Sequence, residues 1–264
     1  MRIDLHTHSR YSYDAEDCTV EALCESAVAK GISILAVTDH KDFFYKKEND
    51  SLDAGQVYSA VCQCRERYGD KLELLWGVEA GQPFYDPAAA AAFFGAYDFD
   101  YVIGSLHAMP CDTDIYFLDY DKLDRRQFLS DYFDQVIRLI QFGGFQTLGH
   151  LDYPLRVMKR EGDAPSFQAF RDRVDEVLTL LIQKDIALEI NARTLFSWQK
   201  RPGPEPFILQ RFQELSGRYI TVGSDAHRAA DVGSGIEEAI AYIKSFGIRE
   251  ITAFRHKIPY FIKV

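Results

Sequence analysis

Seven short apolar runs, separated by longer segments of helical period, constrain this chain more than any other feature. The runs span residues 2–5, 34–38, 72–78, 101–104, 145–148, 186–190 and 219–222. Segments with helical spacing lie at 20–30, 54–68, 124–142, 166–184, 205–216 and 235–245. Within 124–142, Phe128, Leu129, Tyr132, Phe133, Val136, Ile137 and Ile140 recur at spacings of three and four, building one apolar face that Gly143-Gly144 stops. Within 166–184, Phe167, Phe170, Val174, Val177, Leu178 and Leu181 keep the same period, with Ser166 after Pro165 as the N-terminal cap. Strands alternating with helices pair in parallel through right-handed crossovers, and seven of them suggest an α/β barrel.

Composition narrows the function. At 264 residues and 47% hydrophobic content the chain suffices for one large domain, or for two small ones. One is expected, spanning 1–264, because the residues with metal-binding chemistry run from His6 to His227 and must converge. A net charge of -10 argues against nucleic acid or an anionic membrane as partner, since both are held mainly by Lys and Arg. A phosphorylated substrate therefore needs a local positive field. Cys18, Cys24, Cys62, Cys64 and Cys111 are odd in number and form no CxxC pair, so reduced thiols are expected rather than a disulfide framework. No apolar run approaches the roughly 20 residues of a membrane helix, and the N-terminus starts directly on a strand pattern. The expectation is a soluble, cytoplasmic protein of unassigned oligomeric state.

Three segments stand outside the alternation. Ala88 to Ala92 reads as a short helix packed under a loop. Residues 109–124 are rich in Asp and aromatics and too long for an ordinary connection, which suits a lid. Residues 201–206, with three prolines and a glycine, read as a rigid turn.

Polar outliers sit at the C-terminal end of each strand unit: His6 and His8, Asp39 and His40, Glu79, His107, His150, Asn191 with Arg193, and Asp225 with His227. Parallel barrels build their active sites at that face. Residues two apart in extended chain point to one side, so His6 and His8 can grip one ion together, as can Asp225 and His227. A lone histidine is usually structural; six at equivalent strand ends read as a metal site. His256 lies outside the pattern and reads as a surface or packing residue.

These residues resemble the polymerase and histidinol phosphatase (PHP) family of metal-dependent phosphoesterases. The likeness rests on Asp4-Leu5-His6-Thr7-His8-Ser9, Thr38-Asp39-His40, Gly77-Val78-Glu79, Gly104-Ser105-Leu106-His107 and Gly223-Ser224-Asp225-Ala226-His227, and runs from residue 4 to about residue 235. Within the family the histidinol-phosphate phosphatase branch fits best, through Gly149-His150-Leu151-Asp152-Tyr153-Pro154, Leu188-Glu189-Ile190-Asn191, and Ser224-Asp225-Ala226-His227-Arg228 leading to Asp231-Val232-Gly233. The resemblance implies a distorted seven-stranded (β/α)7 TIM-like barrel holding three divalent ions. His6, His8, Glu79 and Asp225 would hold one ion, Glu79 would bridge to a second held by His107 and His150, and Asp14, His40 and His227 would hold the third. Many relatives place a histidine where Asp14 stands. Imidazole and carboxylate ligands suit zinc, iron or manganese.

Six neutral imidazoles and three carboxylates carry about -3; three divalent ions and a bridging hydroxide bring the site to about +2, which complements a phosphomonoester. The implied reaction is hydrolysis of L-histidinol phosphate, a small phosphorylated substrate, by in-line attack of a metal-bridging hydroxide, with catalysis centred on Glu79, Asp225 and His227. Arg156 and Arg193 are candidates to bind phosphate oxygens or to form surface salt bridges. Arg201 and Arg228 are weaker candidates. Ser105 and Asn191 read as substrate hydrogen-bonding residues or turn formers. Asp4, Asp39 and Asp152 read as carboxylates that orient imidazoles or cap backbone groups. Tyr116, Phe117 and Tyr120, interleaved with Asp112, Asp114, Asp119 and Asp121, suit a cationic aromatic leaving group or a partly buried lid. Competing readings are a phosphoesterase for a nucleotide or sugar phosphate, a two-metal amidohydrolase, and a non-catalytic metal-binding domain. Amidohydrolases commonly bridge their metals with a lysine, whereas Glu79 occupies the comparable region here.

Overall fold

The computed structural model describes residues 2–15, 18–43, 52–110, 113–158 and 166–264. Its strands are β1 (Arg2–Thr7), β2 (Ile32–Val37), β3 (His40–Asp42), β4 (Glu73–Gly81), β5 (Tyr101–Ser105), β6 (Ala108–Met109), β7 (Thr113–Asp114), β8 (Thr147–Leu148), β9 (Ala187–Asn191), β10 (Ile220–Gly223), β11 (Glu250–Arg255) and β12 (Ile258–Lys263). The helices are α1 (Val20–Ala29), α2 (Ala54–Tyr68), α3 (Pro87–Ala96), α4 (Arg125–Phe142), α5 (Tyr153–Val157), α6 (Arg171–Gln183), α7 (Pro206–Glu214) and α8 (Ile236–Ser245).

Seven strands pair in parallel in the order β1-β2-β4-β5-β8-β9-β10, with β3 added beside β4. The ring comes close to sealing where β1 meets the end of β10: His8 N donates to Ala226 O at 2.8 Å, and Asp225 N to His6 O at 2.8 Å. Helices alternate with strands and pack around the barrel, which is the expected α/β arrangement. One hydrophobic cluster runs from Ile3 through Ile262.

Local chemistry explains the principal helices. Asp124 accepts hydrogen bonds from Arg126 N and Gln127 N at the start of α4, and the face expected from the sequence is buried, from Phe128 to Ile140. Each such fully buried side chain contributes roughly 1.5–3 kcal/mol. Segment 166–184 divides: Ser166 caps a 3-10 turn over Phe167–Phe170, and α6 follows, burying Val174, Val177, Leu178 and Leu181. Pro165 lies outside the described residues.

Several boundaries depart from expectation. Strand β4 extends to Gly81, so Glu79 stands inside a strand rather than after one, paired with Ile103. His40 also belongs to a strand, paired with Glu79, because the edge of β4 offers it backbone partners. The alanine run lies in α3, but Ala90 alone of its residues is buried; the run faces outward rather than under a loop. The 109–124 segment folds partly as the β6–β7 hairpin, with Tyr120 buried and donating to Ile115 O while Tyr116 and Phe117 stay exposed. Cys111 and Asp112 lie outside the described residues. The turn at 201–206 contains a cis Gly203-Pro204 bond, and Gly203 pairs through its backbone with Asn191. Hairpin β11–β12 was not read from the sequence; His256 sits exposed at its turn.

Candidate metal centre

The C-terminal mouth of the barrel gathers the predicted ligands around the carboxylate of Glu79. Its Oε2 lies 3.0 Å from His6 Nε2, 3.4 Å from His8 Nε2 and 3.1 Å from His40 Nδ1. Its Oε1 lies 3.1 Å from His107 Nε2 and 2.8 Å from His150 Nε2, and accepts from Ser105 Oγ at 2.6 Å. Glu79 therefore presents one oxygen to each of two imidazole groups. On the first side Asp225 Oδ1 approaches His8 Nε2 at 3.6 Å and His6 Nε2 at 3.9 Å. A third group forms at the rim, where Asp14 Oδ1 is 3.4 Å from His40 Nε2 and Asp14 Oδ2 is 3.1 Å from His227 Nε2.

Among the described residues, four overlapping sets have ligand atoms close enough to share an ion: His6, His8 and Asp225; Glu79, His107 and His150; His8, His40 and His227; and His40, Asp42 and His107. The donor chemistry fits a metal. Among the described residues, His8 Nε2 and His40 Nδ1 are buried and take no hydrogen bond, although Glu79 Oε2 is close to both, off a hydrogen-bonding line. Buried polar atoms rarely stay unpaired, and imidazole nitrogens gathered beside carboxylates without hydrogen bonds are donors that a cation uses once any proton is displaced.

The electrostatics agree. Burial pushes the Glu79 carboxyl up, but the His6, His107 and His40 imidazoles overcome it and hold Glu79 well below the usual carboxylate range. Burial pushes Asp225 up, but Arg156, His6, His8 and His227 together hold it well below the usual carboxylate range, and it also stays ionised. Burial lowers His8, and the neighbouring His40 and His227 lower it further, so it stands neutral and ready to ligate. For His107 burial acts downward, while Asp42 and Glu79 lift the imidazole to about 10.

Two carboxylates that the sequence reading left unassigned hold the imidazoles in place. Asp42 Oδ1 lies 2.9 Å from His107 Nδ1 and accepts from Gln82 Nε2 at 3.2 Å. A Cβ at Gly81 would fall 1.5 Å from that same oxygen, so only glycine lets Asp42 approach. Glu189 Oε1 lies 2.6 Å from His6 Nδ1, while its Oε2 accepts from His150 N at 2.6 Å and from Asn191 Nδ2 at 3.1 Å. The available signal was a charged residue inside an otherwise apolar strand, two positions before Asn191 and so on the same face.

The remaining candidates divide. Arg156, carried by α5, points inward, with Nη1 2.7 Å from Asp225 Oδ2 and its guanidinium over the Tyr153 ring. Arg193 stays at the rim, 4.0 Å from Asp231. Arg201 donates to Pro202 O, and Arg228 is exposed. Ser105 is fully buried against Glu79, and Asn191 bridges Glu189, Asp225 and Arg156. Both side chains thus hold carboxylates of the centre. Asp39 accepts from Ser9 and Ser12, and Ser12 Oγ reaches His8 Nδ1 at 3.2 Å, so its hold on the imidazole is indirect. Asp4 instead ties Ser224 and Gly233 together, and Asp152 sits against Gln199 rather than an imidazole. Asp225 has a positive φ of 57°, a conformation Asp tolerates better than most residues and one found at sites where geometry outweighs local strain.

Seven parallel strands with imidazoles and carboxylates converging at their C-terminal mouth define a metal-binding α/β barrel. A family model of the PHP domain matches residues 4–193, and the chain belongs to that family. The match ends short of the last motif, but relatives align over nearly the whole chain. It is 30% identical over 257 residues to the "Probable histidinol-phosphatase" of Thermotoga maritima, covering 97% of each. It is 29% identical over 258 residues to the "Histidinol-phosphatase" of Lactococcus lactis, covering 96% of this chain and 94% of that one. A crystal structure of histidinol phosphate phosphatase from Lactococcus lactis, complexed with zinc, L-histidinol and phosphate, matches at a TM-score of 0.86 with 26% identity and 98% coverage of both chains. Among the described residues no helix is long and apolar enough to cross a membrane.

Proposed function

We propose that this protein is a metal-dependent phosphomonoesterase that hydrolyses L-histidinol phosphate to L-histidinol and phosphate. The observation that carries the reading is the convergence of six imidazoles on Glu79, Asp225 and Asp14, with His8 Nε2 and His40 Nδ1 buried and unpaired. Substrate identity rests on the near full-length similarity to histidinol-phosphatases.

His6, His8, Glu79 and Asp225 would hold one divalent ion, Glu79, His107 and His150 a second, and Asp14, His40 and His227 a third, each zinc, iron or manganese. Bound there, the ions supply an acidified water as nucleophile and positive charge for the phosphoryl oxygens. Glu79 serves two groups because its oxygens diverge, and Ser105 fixes which way they face. His227 donates through Nδ1–H to the Asp225 carbonyl, 2.9 Å away, which aims Nε2 at Asp14. Arg156 offers a guanidinium beside Asp225, suited to a phosphate oxygen once substrate enters. Arg193 would reach the phosphate from the rim. One barrel domain over 1–264 is supported by the continuous core, and a cytoplasmic setting by the free thiols of Cys18, Cys24, Cys62 and Cys64.

The test is phosphate release by zinc- or manganese-loaded protein from histidinol phosphate beside nucleotide and sugar phosphates. Preference for histidinol phosphate is expected; preference for another monoester would keep the phosphatase and overturn the substrate.

A further inference from the structure

We propose that Glu189 is a positioning residue that couples two metal subsites, so that the ion at His6 and His8 and the ion at His107 and His150 bind jointly. This rests on the metal-centre reading above and adds a role to a residue outside the ligand set.

One rigid, planar carboxylate holds parts of both subsites. Oε1 is 2.6 Å from His6 Nδ1, which aims His6 Nε2 at Glu79 Oε2. Oε2 accepts from the backbone N of His150, fixing the strand end from which His150 Nε2 reaches Glu79 Oε1. Asn191 ties the same Oε2 to Asp225 Oδ2, at 3.1 and 3.4 Å. Glu189 is almost fully buried, and a Cβ at Gly223 would meet its Oε1 at 3.0 Å, so the carboxylate is confined on that side. Displacing one oxygen necessarily displaces the other, and with it the partner subsite. Asp42 provides the contrast: it lies 2.9 Å from His107 and, among the described residues, makes no hydrogen bond to His6 or His8, so it holds only the second of these two subsites.

The experiment measures zinc equivalents per chain across buffered free-zinc concentrations, in wild type, Glu189→Gln and Asp42→Asn, with circular dichroism and thermal melting to certify folding. Both substitutions remove one carboxylate charge, so any change that follows from net charge alone is common to both. Coupling predicts that E189Q weakens two equivalents together, each by about 10–100-fold, while D42N weakens one. Loss of a single equivalent in E189Q, or an unchanged isotherm, overturns the proposal. Glu189→Asp is the second variant and covers a failure of E189Q to fold: it keeps the charge but retracts the carboxylate by about 1.5 Å. Joint loss in E189D supports coupling; wild-type affinity there assigns Glu189 a charge role and overturns it. Wild-type protein that binds no zinc would instead overturn the metal-centre reading itself.

Discussion

Loading the metal centre should release about three protons per chain at pH 7.5, because three ligands are held protonated in its absence. Burial opposes the charged form of His6, His40 and His107, but adjacent carboxylates prevail: Glu79 and Glu189 for His6, Glu79 and Asp14 for His40, Asp42 and Glu79 for His107. All three imidazoles are raised, His107 to about 10, whereas His8 is lowered and has no proton to give. Each displaced proton makes apparent affinity change about tenfold per pH unit, so complete loading should steepen toward a thousandfold per unit where all three remain protonated. The assay is calorimetric zinc titration in buffers of differing ionisation enthalpy, whose slope reports protons exchanged. A slope near zero would refute the electrostatic account of the ligands. The metal-free protein should show the opposite dependence in stability. A raised imidazole contributes fully below its unfolded value of about 6.5, and that contribution is lost as pH climbs through the folded value, about 10 for His107. Thermal melts of the metal-free protein should therefore fall between those pH values.

Replacing Arg156 by Met removes a guanidinium while keeping an unbranched apolar stem. The kcat/KM for histidinol phosphate should fall roughly 10–100-fold, the scale of a charged hydrogen bond of about 1.5–3 kcal/mol, and steady-state kinetics with zinc content checked in parallel would test it. Unchanged kinetics would remove Arg156 from phosphate recognition. Gly81→Ala must expel the Asp42 carboxylate from its place beside His107. An overpacking cost of about 1–3 kcal/mol should lower Tm by roughly 3–10 °C, measured by scanning calorimetry, and a variant melting like wild type would show that Asp42 relaxes freely.

The strand-helix alternation and the positions of His6, His8, His107, His150, Asp225 and His227 were legible because each depends on local pattern: periodicity for the elements, and a polar residue breaking an apolar run for the site. Glu79 was legible as a member of the cluster but not as a strand residue, since the sequence does not reveal that β3 would extend the ladder beside β4. Ser105 read equally well as a substrate contact, because a hydroxyl two residues before His107 carries no sign of which carboxylate it will meet. Glu189 and Asp42 escaped assignment for a related reason. Their partners lie far away in sequence, on β1 and after β5, and only the barrel's closure brings them together.

That closure has a consequence for synthesis of the chain. His6 and His8 leave the ribosome well before Asp225 and His227, which arrive only after the six further strands of the main barrel order have been made. The bonds linking His8 to Ala226 and Asp225 to His6 close the longest loop that any backbone–backbone hydrogen bond closes among the described residues, so the entropy of that closure is met last. An ion held across the join is available only to a finished barrel, and tight metal retention becomes a certificate of complete folding that no truncated or half-made chain can present.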